Sequence, residues 1–572
     1  MHEAQSAVPI ARKPRLRWDR EVLLKVIYAA TLVLVVLLVM TPLAALIYGS
    51  FRSSAPGVEG DWTIANYANL ASANLLSTIW LTLLVGVLSA VFCVVIGTAM
   101  ALIIHRTDFA YKNIITALIG LAFYFPAFIL AMAWIILGSP GGLINFLFRD
   151  VLGITDGVKI YSVAGIVFVT ILHQVPFVYL LMRGPIISMD GVFEEAARAA
   201  GARSHHVLFR ITLPLLSYSL LSSLILTFVL AIEQFAIPAM LGLPGHITLL
   251  PTQIYLLVRF PPTDYGLAAA VGLTLAALTS LAILAQRRVT RAGRMATVTG
   301  KAGHLRTLPL GRWRWAANTF CFGFVFLSLI LPSLILIYMS VIKWYVSNPF
   351  LAQYTLRNYE FIWNSADAHK SIWNTLIVSG VGGIFGVALA FLTSYFTVRL
   401  KPPSYRLLDF TASLPFGVPG MVMALGFLWA YAYLPLPFYG TLALIIVAFI
   451  TRYLPYATEA IGGQLVQIDK SLEEAAWVGG ATKLGGLRRI LLPLSLPSIQ
   501  GAYFLLFMAF FREMSSVVLL FTSNSKVISI SIWGFFEGAD WGLASSFSVL
   551  TTLIIFGVIW LIVWLMPAAR RV

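Results

Sequence analysis

The chain has 572 residues, of which 59% are hydrophobic and only 11% charged, against roughly 25% charged in soluble domains. So much apolar surface cannot be hidden in a water-soluble core, which excludes a soluble globular protein and makes a bilayer the solvent. The net charge of +16 would suit a nucleic-acid-binding protein, but the positions of the basic residues argue against nucleic acid. The two cysteines, Cys93 and Cys321, fall inside apolar stretches and fit neither a disulfide framework nor a metal site, so they read as small packing residues.

In chain order, a basic tail with Arg12, Lys13, Arg15, Arg17 and Arg20 precedes an apolar run over 22–48. That run is too long for a signal-peptide core and no cleavage site follows it, so it is read as a first membrane span. Runs long enough to cross a bilayer then recur at 78–104, 114–138, 162–182, 213–237 and 265–285. After a gap they continue at 316–342, 372–398, 408–433, 441–461, 494–521 and 545–567. The expected fold is an all-α membrane protein of about twelve transmembrane helices in two pseudo-symmetric six-helix halves. The expected domains are a tail over 1–21, a first half over 22–285, a linker over 286–315 and a second half over 316–572. Pro126, Pro415 and Pro419 lie inside predicted spans and predict kinks, natural beside a pathway.

The linker holds Arg287, Arg288, Arg291, Arg294, Lys301, Arg306, Arg312 and Arg314 and no acid. Positive charge between spans predicts a cytoplasmic location. The basic tail and Arg570-Arg571 lie an even number of spans away and agree with it. Orientation and contact with anionic membrane lipid thus account for the charge, and no nucleic-acid partner is expected.

The chain repeats itself. Glu195-Ala196-Ala197, Gly201 and Ile211-Thr212-Leu213-Pro214 return 279 positions later as Glu474-Ala475-Ala476, Gly480 and Ile490-Leu491-Leu492-Pro493. Trp62-Thr63-Ile64-Ala65-Asn66-Tyr67 is echoed by Tyr354-Thr355-Leu356-Arg357-Asn358-Tyr359. Ile79-Trp80-Leu81-Thr82 is echoed by Ile372-Trp373-Asn374-Thr375, and Pro176 and Pro455 stand equally far before the two motifs. Six spans per half give both halves the same orientation, with a path between them.

Both Glu-Ala-Ala segments fall on the predicted cytoplasmic side. Phe193 to Ala200 are strong helix formers with small side chains, which let a helix sit deep in a partner's groove. Gly201 permits a sharp bend. A second short helix over 202–209 should follow, and Leu213-Pro214 should open the next span. An ordinary loop explains one such copy poorly and two poorly indeed. The pattern resembles the coupling motif of ABC-type importer permeases. The resemblance implies the type I importer architecture and two copies of an ABC ATPase subunit docked at the cytoplasmic face, with ATP and Mg held by that partner. It further implies a periplasmic or lipid-anchored binding protein and a bacterial inner membrane location with cytoplasmic termini. Glu195 and Glu474 would be docking acids, Ala196, Ala197, Ala475 and Ala476 the small docking face, and Gly201 and Gly480 the bends. In the second copy Trp477, Val478 and Gly479 replace Arg198, Ala199 and Ala200, so the two docking surfaces need not be equivalent.

No phosphate-cradling Gly-x4-Gly-Lys-Ser/Thr occurs, since Gly300-Lys301 is followed by Ala302. No catalytic constellation, metal cluster or cofactor site is read from the chain, so hydrolysis is expected on another subunit. His205-His206 reads as solvated or packed. Charged residues inside spans mark interior positions. Glu233, Arg512 and Glu513 are candidates for a path or gate, with structural pairing the competing reading; His173 and Arg452 occupy matching places and read as pairing residues. The text from Glu233 to Gly242 and from Arg512 to Leu520 resembles ferric iron permeases, while fused permeases for thiamine and for 2-aminoethylphosphonate share the layout. A secondary transporter and an intramembrane enzyme are the rival classes. The first lacks a reason for the coupling motifs, and the second lacks a nucleophile or metal set.

Overall fold

The computed structural model describes residues 17–154, 157–296, 308–346, 348, 351–433, 438 and 440–565. Arg12, Lys13, Arg15, Lys301, Arg306 and Arg570-Arg571, which entered the orientation argument, lie outside these residues. The described chain is helical throughout. Its extended pairings among the described residues are three isolated bridges, Arg52 with Trp62, Thr107 with Leu308 and Ile342 with Tyr354.

Nine helices are long and apolar enough to cross a membrane, and four bent helix pairs raise the number to as many as thirteen among the described residues. Apolar side chains such as Val95, Leu281 and Trp560 point outward and are more than half exposed, as expected where lipid is the solvent. The chain forms two compact units. Among the described residues, one is drawn from within 1–40, 383–415 and 453–506, the other from within 41–382, 416–452 and 507–572.

Three differences from the sequence-based expectation have physical causes. The expected span 114–138 is two helices, Lys112–Tyr124 and Ala127–Gly138, broken where Pro126 lacks an N–H. Its counterpart is likewise broken, into Tyr405–Gly417 and Gly420–Tyr433 around Pro419. Second, Leu213-Pro214 closes the short connector Ser204–Leu215 instead of opening the fifth span, which begins at Ser217 after a 68° bend. The same 68° bend separates Lys483–Leu494 from Leu496–Phe511. Third, 238–259 and 528–537, left unassigned between the expected spans, hold helices. The first is a bent pair, Pro238–Gly245 and Leu250–Arg259, and the second a short apolar helix, Ile528–Glu537.

The outer repeat is built twice in the same way. Asn66 donates to the carbonyls of Ser50 and Arg52, and Asn358 to those of Ser340 and Ile342. Tyr67 Oη lies 2.7 Å from Ser50 Oγ, and Tyr359 Oη donates to Ser340 Oγ at 2.8 Å. Each asparagine satisfies carbonyls that a terminating helix would leave orphaned.

Candidate functional site: coupling segments and an intramembrane polar cluster

The helix Val192–Ala199 ends because Gly201 adopts φ +85°, a left-handed conformation that costs a residue with a Cβ. Gly201 N–H then bonds Arg198 O, and Ala202 N–H reaches back to Ala197 O. This pair of bonds satisfies the last carbonyls of the helix. Ser471–Val478 ends identically, with Gly480 at φ +84° and the bonds Gly480 N to Trp477 O and Ala481 N to Ala476 O.

Two glutamates stand side by side in each copy, and they part company. Glu195 and Glu474 are exposed, as are Ala196 and Ala475, while Ala197 and Ala476 are half-buried. Glu194 and Glu473 are buried. Adjacent helical residues point about 100° apart, so on a helix lying against the protein one faces out and the other in.

The buried glutamates were not anticipated, nor were their partners. Arg106 Nη2 stands 2.9 Å from Glu194 Oε2, an ion pair whose N–H is not aligned as a hydrogen bond, and Arg106 Nη1 donates to Met189 O at 3.3 Å. Thr212 Oγ1 donates to Glu194 Oε1 at 2.6 Å, and Arg198 approaches at 3.7 Å. In the second copy Arg399 Nη1 is 3.6 Å from Glu473 Oε2, and Arg399 Nη2 donates to Ile468 O. Met189 and Ile468 are again 279 positions apart. Burial pushes the Glu473 carboxyl above its ordinary range, with Arg399 opposing. The signal available in sequence was the doubled Glu-Glu in both copies and an arginine at the end of both second spans.

The basic linker reaches the same place. Leu308 N–H bonds Arg106 O, Asp108 N–H bonds Leu308 O, and Asp108 accepts from Leu310 N and Arg314 Nη2. These bonds, the Leu310 N–H first, hold the Asp108 carboxyl below its usual range. The linker end and the helix Val192–Ala199 therefore lie close together, both touching Arg106. His205 and His206 are exposed, with ring centroids 4.1 Å apart.

Within the spans, Glu233 Oε2 pairs with Arg452 Nη2 at 2.7 Å, both buried or nearly so, joining the fifth span of the first half to the fourth of the second. Arg452 Nη1 also donates to Val418 O, 2.7 Å away at the helix break beside Pro419. The repeat-related pair is His173 and Arg512, which lie within electrostatic reach of each other. Arg512 donates to Phe123 O at 2.6 Å beside the Pro126 break and sits over the Phe123 ring. Each arginine thus satisfies a carbonyl that a proline break had released. Glu513 does not pair with its neighbour Arg512 in these bonds; its Oε1 accepts from Ser516 N at 2.9 Å.

Beyond this cluster, the two unanticipated short helices meet. Tyr255 Oη donates to Glu537 Oε1 at 3.1 Å, and Tyr255, Trp533 and Phe235 form a buried aromatic group with centroids 5.3 to 6.1 Å apart.

A family profile described as "Binding-protein-dependent transport system inner membrane component" matches residues 94–294 and 382–571. The chain belongs to this family. It is a multi-pass ABC importer permease carrying the family's domain twice, with one Glu-Ala-Ala segment in each copy. The ferric transport system permease protein FbpB of Actinobacillus pleuropneumoniae is 26% identical over 500 residues, covering 86% of the permease and 71% of that relative. The Fe(3+)-transport system permease protein FbpB 2 of Haemophilus influenzae is 22% identical over 476 residues, covering 82% and 86%. The sulfate transport system permease protein CysW of Escherichia coli is 30% identical over 216 residues, covering 37% of the permease and 72% of CysW. Among solved structures, a bacterial ABC transporter that imports the acidic polysaccharide alginate aligns with 46% of the permease and 97% of its own chain, at 18% identity and a TM-score of 0.38.

Proposed function

We propose that the permease moves ferric iron, delivered by a periplasmic or lipid-anchored binding protein, into the cytoplasm by alternating access. Two ATPase subunits dock at 190–212 and 469–491, through exposed Glu195 and Glu474 and the small residues that follow them. ATP and Mg belong to those subunits, and the permease carries no cofactor of its own. The chain sits in a bacterial inner membrane with both termini and the linker cytoplasmic. Closure of the ATPases moves the coupling helices and rocks the halves, and Glu233, Arg512 and Glu513 lie where the path between the halves is gated.

The observation that carries the docking assignment is the duplicated geometry: the same glycine bend, with one acid inward and one outward, in both copies. Iron is favoured over sulfate because relatives named for ferric transport align across both halves, whereas the sulfate relative covers 37% of the chain. The test is uptake of radiolabelled Fe(III) by iron-starved cells lacking any second iron system, with and without the gene. Uptake restored by the gene but not by Glu195→Arg with Glu474→Arg supports substrate and docking together. Unchanged Fe(III) uptake with loss of sulfate, thiamine or 2-aminoethylphosphonate uptake overturns iron and keeps the importer.

A further inference from the structure

The coupling helix is joined to the membrane domain by two routes of different stiffness. Along the chain it leads through the connector Ser204–Leu215 to the fifth span, but that route is broken by the 68° bend. Through space it leads by Glu194 to Arg106, the last residue of the unbroken helix Ala73–Arg106. A straight helix transmits displacement along its axis, whereas a bend between two helices absorbs it.

The far part of that second span also holds something. Thr82 is fully buried; its hydroxyl donates to Thr78 O at 2.7 Å and accepts Leu250 N–H at 2.9 Å. Leu250 is the first residue of the short helix Leu250–Arg259, so Thr82 satisfies an N–H that has no partner within its own helix. Thr82 and Arg106 are separated by about 36 Å of helix at 1.5 Å per residue. The second half repeats each bond: Thr375 Oγ1 accepts Ile528 N–H at 2.8 Å at the start of Ile528–Glu537, and Arg399 pairs with Glu473. Leu250–Arg259 and Ile528–Glu537 are the helices that meet through Tyr255, Glu537 and Trp533.

We propose that the second span of the first half is a transmission rod: Arg106 clamps it to the coupling helix through Glu194, and Thr82 clamps it to the short helix Leu250–Arg259, which closes the path. The two clamp residues are positioning residues, acting on the gate through the helices they join. The fifth span follows the motion passively across its bend.

The inference rests on the importer reading above, so the first arm asks whether the wild-type chain, assembled with its ATPase and binding protein, recovers the ATPase on purification. Failure there strikes the importer reading and takes the rod with it. The second arm uses the assembled transporter bearing spin labels at Ala110→Cys, beyond the end of the second span, and Ser204→Cys, at the start of the connector, with Cys93 and Cys321 replaced by serine. The label separation should stay fixed on trapping with ATP and vanadate, because the clamp makes the two sites one body. It should change on trapping in Arg106→Met. The third arm compares Fe(III) transported per ATP hydrolysed. Arg106→Met should keep its ATPase and lower this ratio about tenfold, within the range of ordinary coupling free energies, with a smaller drop in Thr82→Val. Arg106→Lys, which keeps the charge, should restore most of it. A label separation that changes in the wild-type transporter on trapping overturns the rod even if the methionine variant fails to fold. So does Arg106→Met transporting within about twofold of wild type per ATP.

Discussion

The two Glu-Ala-Ala segments share a φ to within a degree at their glycines, yet the buried acid in each has different company. Glu194 is held by Arg106, Thr212 and Arg198, whereas Glu473 is held by Arg399, with a leucine and a tryptophan at the other two positions. Duplication has preserved the bend, the inward acid and the arginine that meets it, and has let the supporting bonds drift. The preserved set is what fixes the direction of the helix; the variable set only adjusts how tightly it is held.

The sharpest way to break the comparison is to remove the arginines. Loss of one partner from a buried ion pair costs roughly 3–5 kcal/mol, and Arg399→Ala should approach that figure because Glu473 is left buried. Arg106→Ala should cost less, since Arg198 and Thr212 remain; thermal unfolding in detergent, following each protein's melting point, ranks the two. Next, Thr212→Leu converts the first site toward the second. It removes one bond to a charged group and should cost about 1–3 kcal/mol, whereas Leu491→Thr should stabilise by supplying that bond to Glu473. A stabilising Thr212→Leu would show that the hydroxyl bond is not what distinguishes the copies. Gly201→Ala and Gly480→Ala should then be equal to each other, at about 1–2 kcal/mol, because an alanine Cβ meets nothing within 4 Å at either site and φ alone opposes it. Unequal losses would place a further difference in the bends.

The smallest effect concerns the linker end beside the first clamp. Asp108 has its carboxyl held below the ordinary range, so its contribution is fully present above the unfolded value and fades as pH falls through the depressed one. Hydrogen exchange at the Leu310 amide should stay slow at mildly acid pH and speed up only below the usual aspartate range. Asp108→Asn should weaken that latch at every pH.

A second comparison lies inside the membrane. Repeat-related positions carry Glu233 against Arg452 in one place and Arg512 against His173 in the other. An ion pair and a pair of nitrogen bases occupy the same scaffold positions. Both arginines nevertheless do the same backbone task, bonding the carbonyls freed near Pro419 and Pro126. What the repeat conserves here is again the bond that the backbone requires.

Much of this was legible in the residues. The apolar runs, the two halves, the short Glu-Ala-Ala helices and their glycine bends follow from hydropathy, propensity and the conformational freedom of glycine, all of which act over a few neighbouring residues. The echoed Ile79-Trp80-Leu81-Thr82 and Ile372-Trp373-Asn374-Thr375 even contained the two threonines that cap the short helices, though nothing local said what they would meet. The tertiary structure alone decided which of two adjacent glutamates turns inward, because that depends on an arginine 88 positions away for Glu194. It alone chose Arg452 as the partner of Glu233, and placed helices within 238–259 and 528–537, which the apolar runs had left unassigned. Local forces specify which segments are helices and where they bend. The cost of leaving a buried charge or N–H unpaired is settled only when distant segments are brought together.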